Sequence, residues 1–150
     1  MKNPTFSNVS QFGTPQAGIQ YISRPSVYAI IQNSDQNFAI VRHRGAYFLP
    51  GGGIEARETP IEALKREVIE ETGYQIKDVA KLCETVEYLP GISAEKYYHI
   101  WSTFFVTQLN TAEATFAEPD HQLIWMKAEK VIPKLQRAAH VWAIEQFLSR

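Results

Sequence analysis

Residues 50–74 read PGGGIEARETPIEALKREVIEETGY, a glycine-rich turn running into a helix with clear end signals. Thr59 is a natural N-cap, Pro60 suits the first helical position, and Glu62 completes a Thr-x-x-Glu capping box. Gly73 sits where a left-handed C-terminal residue belongs, so the spacing predicts a helix over residues 59–73. Ile61, Leu64 and Val68 recur at i, i+3 and i+7 and form the expected core-facing stripe. Glu67, Glu70 and Glu71 fall at i, i+3 and i+4 and share one face beside that stripe. Crowded carboxylates repel by about 1 kcal/mol per pair at 4 Å in bulk water and by about 4 kcal/mol at an effective dielectric of 20. A divalent cation reverses that sign, and hard oxygen ligands are what Mg²⁺ and Mn²⁺ prefer. The glycines before the helix let backbone carbonyls and amides approach an ion or a phosphate.

Each of these signals has an ordinary reading. Adjacent glutamates are usually a solvated face, Arg66 can simply balance Glu62 one turn earlier, and Pro-Gly-Gly-Gly alone is usually a turn. Their joint spacing is not ordinary. Gly52-x5-Glu58-x7-Arg66-Glu67-Val68-x-Glu70-Glu71-x-Gly73 resembles the signature of the Nudix hydrolases, GX5EX7REUXEEXG followed by a bulky aliphatic residue. At residue frequencies of about 6–7% each, a chance match in a chain this long is on the order of one in a million. Tyr74 departs from the preferred Ile, Leu or Val but is still bulky, so a packing adjustment is expected there.

The resemblance implies an α/β fold, a Nudix-type α/β/α sandwich with a mixed β-sheet, formed by residues 1–150 as one domain. It implies that Glu67, Glu70 and Glu71 bind Mg²⁺ or Mn²⁺, with the Gly51 carbonyl as a further ligand. Glu58 and Arg66 resemble the family's structural pair, which ties the loop to the helix and orients the glutamates. A misplacement of about 1 Å in such a ligand can cost two orders of magnitude in rate. The implied reaction is metal-dependent pyrophosphate hydrolysis of a nucleoside diphosphate derivative by water attack at phosphorus. Glu67 and Glu70 are the candidates for general base, and Glu118 or Asp120, from a distal loop, is a candidate further acid. The substrate is expected to be a small nucleotide or nucleotide-like diphosphate. A nucleoside triphosphate, a nucleotide sugar, a dinucleoside polyphosphate and a 5′-triphosphate RNA end all fit the same helix. The rival reading is a non-hydrolytic nucleotide-binding or regulatory domain, which would be expected to lack some of the helix carboxylates; this chain keeps all three.

Outward from this stretch, residues 1–20 read as an irregular arm, with an edge strand expected near residues 19–22. Residues 26–32 and 38–41 read as strands flanking the Asn33-Ser34-Asp35-Gln36-Asn37 turn, as a hairpin or an adjacent pair. Residues 79–88 and 97–108 read as two more strands joined by a Pro90-Gly91 loop, and residues 122–126 as another. Helices are expected over residues 128–135, with Pro133 a kink or break, and over 138–148, with Val141, Ile144 and Leu148 on one stripe. Specificity is assigned to the loops around residues 87–96 and 110–120.

At 150 residues and a formal net charge of -1, the chain lacks the basic excess of a long nucleic-acid or anionic-membrane footprint. Cys83 is the only cysteine, which excludes an internal disulfide and multi-cysteine zinc sites. The longest apolar run, Val27-Tyr28-Ala29-Ile30-Ile31, is far short of the ~20 residues that span a bilayer. With no signal-like stretch behind Met1, a cytoplasmic location is expected. A homodimer through sheet edges or the amino-terminal arm is compatible with the sequence. His43, His99, His121 and His140 lie at no metal-ligand spacing and read as core or surface residues. Arg42, His43 and Arg44 are either phosphate contacts or a solvated strand edge. Tyr47, Tyr88, Tyr97 and Trp101 are either base-stacking or core aromatics.

Overall fold

A computed structural model describes residues 9–90 and 96–150. Its elements are β1 (Val9–Phe12), β2 (Tyr21–Ile30), β3 (Phe38–His43), β4 (Ala46–Phe48), β5 (Gly51–Gly53), α1 (Pro60–Thr72), β6 (Tyr74–Pro90), β7 (Tyr97–Ala114), β8 (His121–Met126), α2 (Ala128–Val131) and α3 (Ala138–Ser149). A five-stranded mixed sheet runs β1-β6-β7-β2-β5, and a three-stranded sheet runs β4-β3-β8.

The apolar run that begins at Val27 explains the layering. Val27, Ala29 and Ile31 point into one core with Ala63, Leu64 and Val68 of α1, whereas Tyr28 and Ile30 point into another with Ala143, Ile144 and Phe147 of α3. A strand covered on both faces has no polar alternation, and this one reads as a continuous hydrophobic run. Phe104 and Phe105 of β7 divide between the two cores in the same way. The helices therefore flank the sheets on both sides, an α/β arrangement with a mixed sheet, as expected. Cys83 is a small buried member of the α3-side core, where burial first and Glu84 second push its thiol up to about 12.

The turn at Asn33 forms as expected, its side chain accepting from Asp35 N at 3.1 Å and Asn37 N at 2.9 Å. It does not make a full hairpin. Pairing stops at the Gln32–Phe38 bridge, because both edges of β2 are taken by β5 and β7 and β3 must pair with β4 and β8 instead. The edge strand of the amino-terminal arm lies at Val9–Phe12, parallel to β6, and not at residues 19–22, where Tyr21 already begins β2. Residues 1–8 of that arm, and the loop tip at 91–95, lie outside the described residues.

Thr59 caps α1 by accepting from Glu62 N at 3.2 Å, and Gly73 closes it at φ +80°, its N–H bonding Ile69 O at 2.9 Å. Of the expected stripe, Leu64 and Val68 are fully buried, each contributing about 1.5–3 kcal/mol, but Ile61 is 40% exposed. Ala63, fully buried, fills the place next to Leu64 instead. On α3 the buried stripe is His140, Ala143, Ile144 and Phe147, while Leu148 is exposed. The spacing i, i+3, i+4, i+7 starting from His140 sets this face, one residue away from the stripe expected from Leu148. α2 ends at Val131, before Pro133, which has no N–H to continue it.

His140 is fully buried beside the Tyr28 ring, 4.3 Å between centroids, and its Nδ1 accepts from Leu49 N at 3.2 Å. Burial first, and the Arg137 charge second, hold it well below its ordinary value of 6.5. The unfolded chain therefore takes up a proton below about pH 6.5 that the folded chain refuses. Stability is fully present above that pH and falls as pH drops, by up to about 1.4 kcal/mol per pH unit. Urea midpoints at pH 7.5, 6 and 5 will show more stability lost toward acid in the wild type than in His140→Asn, a difference that cancels the other titrating groups, among them carboxyls whose raised values act in the opposite sense.

Candidate active site

Gly51–Gly53 is an edge strand, paired antiparallel with β2 through Ser26–Gly53, Val27–Gly52 and Tyr28–Gly51. That pairing fixes the glycines against β2 and presents their free side to α1. Gly51 N donates to Glu71 Oε1 at 2.7 Å. A Cβ at Gly52 would lie 2.7 Å from the Glu67 carboxyl carbon, so a side chain there would push that carboxylate aside. The glycines are thus the floor on which two of the helix carboxylates rest.

Arg66 is the hub of the site. Its Nε donates to Glu58 Oε2 at 2.7 Å and its Nη2 to Glu58 Oε1 at 2.9 Å, a two-pronged pair, while Nη2 also donates to Gly53 O at 3.0 Å. Nη1 reaches Glu67 Oε1 at 3.0 Å and Glu70 Oε2 at 3.4 Å. Glu58 in turn accepts from Glu55 N at 2.8 Å. One guanidinium therefore joins the loop, the glycine strand and two glutamates. The Arg66 hydrogen bond is the main cause that holds Glu58 below its ordinary carboxylate value. Lysine has neither the fork nor the reach to replace these contacts. Arg66→Lys is expected to lower turnover by about 10–100-fold, the usual cost of losing a residue that orients metal ligands; steady-state kinetics alongside a thermal melt will check it.

The glutamates face a crowded, partly dry site. Burial raises the Glu67 carboxyl above its ordinary value despite Arg66. Glu71 is pushed up to about 9, mainly by burial, with Gly51 N opposing and Glu67, Glu118 and Glu70 adding their repulsion. Glu118 reaches the same region because its own N–H bonds Glu70 O at 2.7 Å, and Thr115 N bonds Gly73 O at 2.7 Å, which docks the distal loop on the end of α1. Four carboxylates held together against their mutual repulsion offer the oxygen donors that a hard divalent cation such as Mg²⁺ or Mn²⁺ takes.

The structure thus brings together Gly51, Glu58, Arg66, Glu67, Glu70, Glu71 and Glu118. Asp120 turns elsewhere, to the imidazoles of His43 and His121, at 3.5 Å and 3.2 Å. Nothing in the sequence singles out His121, yet its Nε2 lies 3.7 Å from Glu71 Oε2 and its Nδ1 3.2 Å from Glu118 Oε2. Only the β3–β8 register, which sets His43 opposite His121, places it there. Of the aromatics that could stack on a base, Tyr47 packs on the α3-side core and Trp101 donates to Glu84 Oε1 at 3.4 Å. Tyr88 and Tyr97 pack edge-on to Tyr21, at 5.2 Å and 5.9 Å.

Comparison with known proteins bears on the same residues. A family model described as NUDIX domain matches residues 22–148. The chain is 46% identical over 68 residues to an RNA pyrophosphohydrolase of Halorhodospira halophila, covering 44% of this chain and 38% of that protein. It is 37% identical over 84 residues to an RNA pyrophosphohydrolase of Helicobacter pylori, covering 50% of this chain and 54% of that protein. The chain thus spans only about half, or less, of the length of the curated relatives it matches. Among solved structures, a NUDIX hydrolase from Nitrosomonas europaea aligns with a TM-score of 0.70 at 20% identity, over 85% of this chain and 90% of that one. A MutT protein from Bacillus halodurans aligns with a TM-score of 0.65 at 22% identity, over 85% and 83%. These structural likenesses speak to the fold.

Proposed function

The chain belongs to the NUDIX family, and on that basis we propose that it is a Mg²⁺- or Mn²⁺-dependent pyrophosphohydrolase acting on a nucleotide or nucleotide-like diphosphate. The observation that carries this reading is the joint placement of Glu67, Glu70, Glu71 and Glu118 around the glycine strand, with Arg66 and Glu58 fixing two of them. Glu67, Glu70, Glu71 and the Gly51 carbonyl would hold the metal, with Glu118 as the further acid from the distal loop. When bound, such a cation neutralises phosphoryl oxygens and makes water a better nucleophile.

The chain's own residues supply the rest. Arg66 keeps the Glu67 and Glu70 carboxylates oriented, so that little reorganisation is needed as charge develops. Gly51 holds Glu71 through its N–H, and Gly52, bare of a side chain, lets the Glu67 carboxylate lie close against the backbone. Glu67 or Glu70 takes the proton from the attacking water, and the other phosphoryl group departs in line. That all three helix carboxylates are present, each with a partner that orients it, supports turnover over mere binding.

The names of the curated relatives put a 5′-triphosphorylated RNA end first among substrates to try. The near-neutral charge suits recognition of a terminal nucleotide and not of a long duplex. The test is product analysis on a 5′-triphosphorylated oligoribonucleotide, nucleoside triphosphates, a dinucleoside polyphosphate and a nucleotide sugar, with Mg²⁺ or Mn²⁺ and with chelator. Metal-dependent release of phosphate, pyrophosphate or a nucleoside monophosphate is expected from at least one of them. Tight, metal-dependent binding of these compounds with no product would instead favour a nucleotide-binding domain.

A further inference from the structure

The backbone that leads into the glycine strand is held from behind by the start of α3. Leu135 bridges Tyr47, and Gln136 N donates to Tyr47 O at 3.0 Å. Two residues further on, Leu49 N donates to Nδ1 of His140 at 3.2 Å. Pro50 O then accepts from Ala29 N at 2.8 Å, and Gly51 N donates to Glu71 Oε1 at 2.7 Å. Arg137, at the same end of α3, donates from Nη1 to the hydroxyl of Tyr28 at 3.2 Å, and Tyr28 is the β2 residue opposite Gly51. Three successive residues are thus anchored on three different elements, Leu49 on α3, Pro50 on β2 and Gly51 on α1. Proline locks φ in the middle of that run, so a shift at Leu49 is passed on to Gly51 and not absorbed.

Packing alone does not account for a histidine at this place. His140 is fully buried among the rings of Tyr28, Phe104 and Phe48. With Nδ1 accepting, its proton lies on Nε2, which has no hydrogen-bond partner among the described residues. A leucine would fill the space without burying that unpaired group. What the imidazole adds is the acceptor for Leu49 N. We propose that His140 is a positioning residue for the metal site, holding the chain at Leu49 so that the Gly51 carbonyl stands where the cation takes it. The inference rests on the reading of Gly51 as a metal ligand. A backbone carbonyl has no rotamer of its own, so its place is set by whatever grips the chain on either side. A displacement of about 1 Å at such a site can cost about 100-fold in rate.

The test is the Mn²⁺ affinity of the whole protein, titrated by electron paramagnetic resonance without substrate, at a temperature where every variant is folded. His140→Leu keeps the bulk and removes the acceptor. It is expected to weaken Mn²⁺ binding by about 10–100-fold, the usual cost of losing a group that orients a metal ligand. His140→Asn, whose side-chain oxygen takes the place of Nδ1, should recover most of that affinity. Ile144→Val thins the same core and leaves the Leu49 bond in place, so it should bind Mn²⁺ like the wild type. If His140→Leu does not fold, His140→Met, flexible enough to repack, replaces it. Because the readout is metal binding, a wild type that binds Mn²⁺ and yields no product fails the hydrolase reading alone. No Mn²⁺ binding by the wild type, wild-type affinity in folded His140→Leu, or equal losses in His140→Asn and His140→Leu would each overturn the proposal.

Discussion

Glu70→Gln is expected to fold like the native chain and to lose at least about 10³-fold in turnover, some 4 kcal/mol of transition-state stabilisation. The substitution is nearly isosteric, and among the described residues the Glu70 carboxylate makes only long hydrogen bonds, 3.4 and 3.5 Å, to Arg66. Its fold cost is therefore small. In chelator the variant should melt no lower than the wild type, because one charge has left a cluster of mutually repelling carboxylates. Function depends on that same charge, since an amide is a poor ligand for a hard cation and no base at neutral pH. The check is product release beside a circular-dichroism melt. A folded variant with full turnover would sink the assignment of the helix as the metal-binding element.

Gly51→Ala carries the second large effect, and it falls on folding. Gly51 sits at φ +148°, a conformation L-residues rarely adopt, and a Cβ there would overlap the Val27 carbonyl oxygen and come within 2.7 Å of Tyr28 Cα. Those are backbone atoms of a strand buried in both cores, so nothing nearby can yield cheaply. A loss of at least about 3 kcal/mol is expected from overpacking and strain together, read as a drop in the urea midpoint. Gly52→Ala makes the contrast. Its Cβ meets only the tip of Glu67, which can swing away, so the fold should survive while turnover falls. Equal stability losses in the two variants would mean that the glycine strand is not the rigid floor described here.

The features legible in the sequence are local ones. The limits of α1 are written in Thr59, Pro60 and Gly73, each of which does in the structure the chemistry that its position promises, while Glu62 accepts from the Thr59 hydroxyl at 3.0 Å and not from its backbone N–H. The glutamate face follows from helical spacing, and the family resemblance points to Glu58 and Arg66 as partners, which the two-pronged pair at 2.7 and 2.9 Å realises. The hidden features are non-local. Ile61 has the right period and yet is exposed, because which residues of a helix face meet the core is set by the elements packed on it and not by the helix alone. β6 begins at Tyr74, much earlier than its apolar stretch suggests, because Gln75, Lys77 and Asp78 mask a strand that carries irregular register near Lys77. The parting of β2 and β3 into two sheets depends on which strands claim the edges of β2. Glu118 and Asp120 are both candidates in sequence. Backbone bonds from the distal loop to α1 bring Glu118 to the glutamates and leave Asp120 to the histidine pair.

Hydrolysis at a cation held by the glutamate helix is best tested by turnover in ¹⁸O-labelled water, with a 5′-triphosphorylated oligoribonucleotide or a nucleoside triphosphate as substrate. One labelled oxygen is expected in a phosphoryl product in the presence of Mg²⁺ or Mn²⁺, and the reaction should be lost on adding chelator or in Glu70→Gln. Label that enters at the same rate in chelator, or in folded Glu70→Gln, would contradict a metal-dependent hydrolase built on that helix.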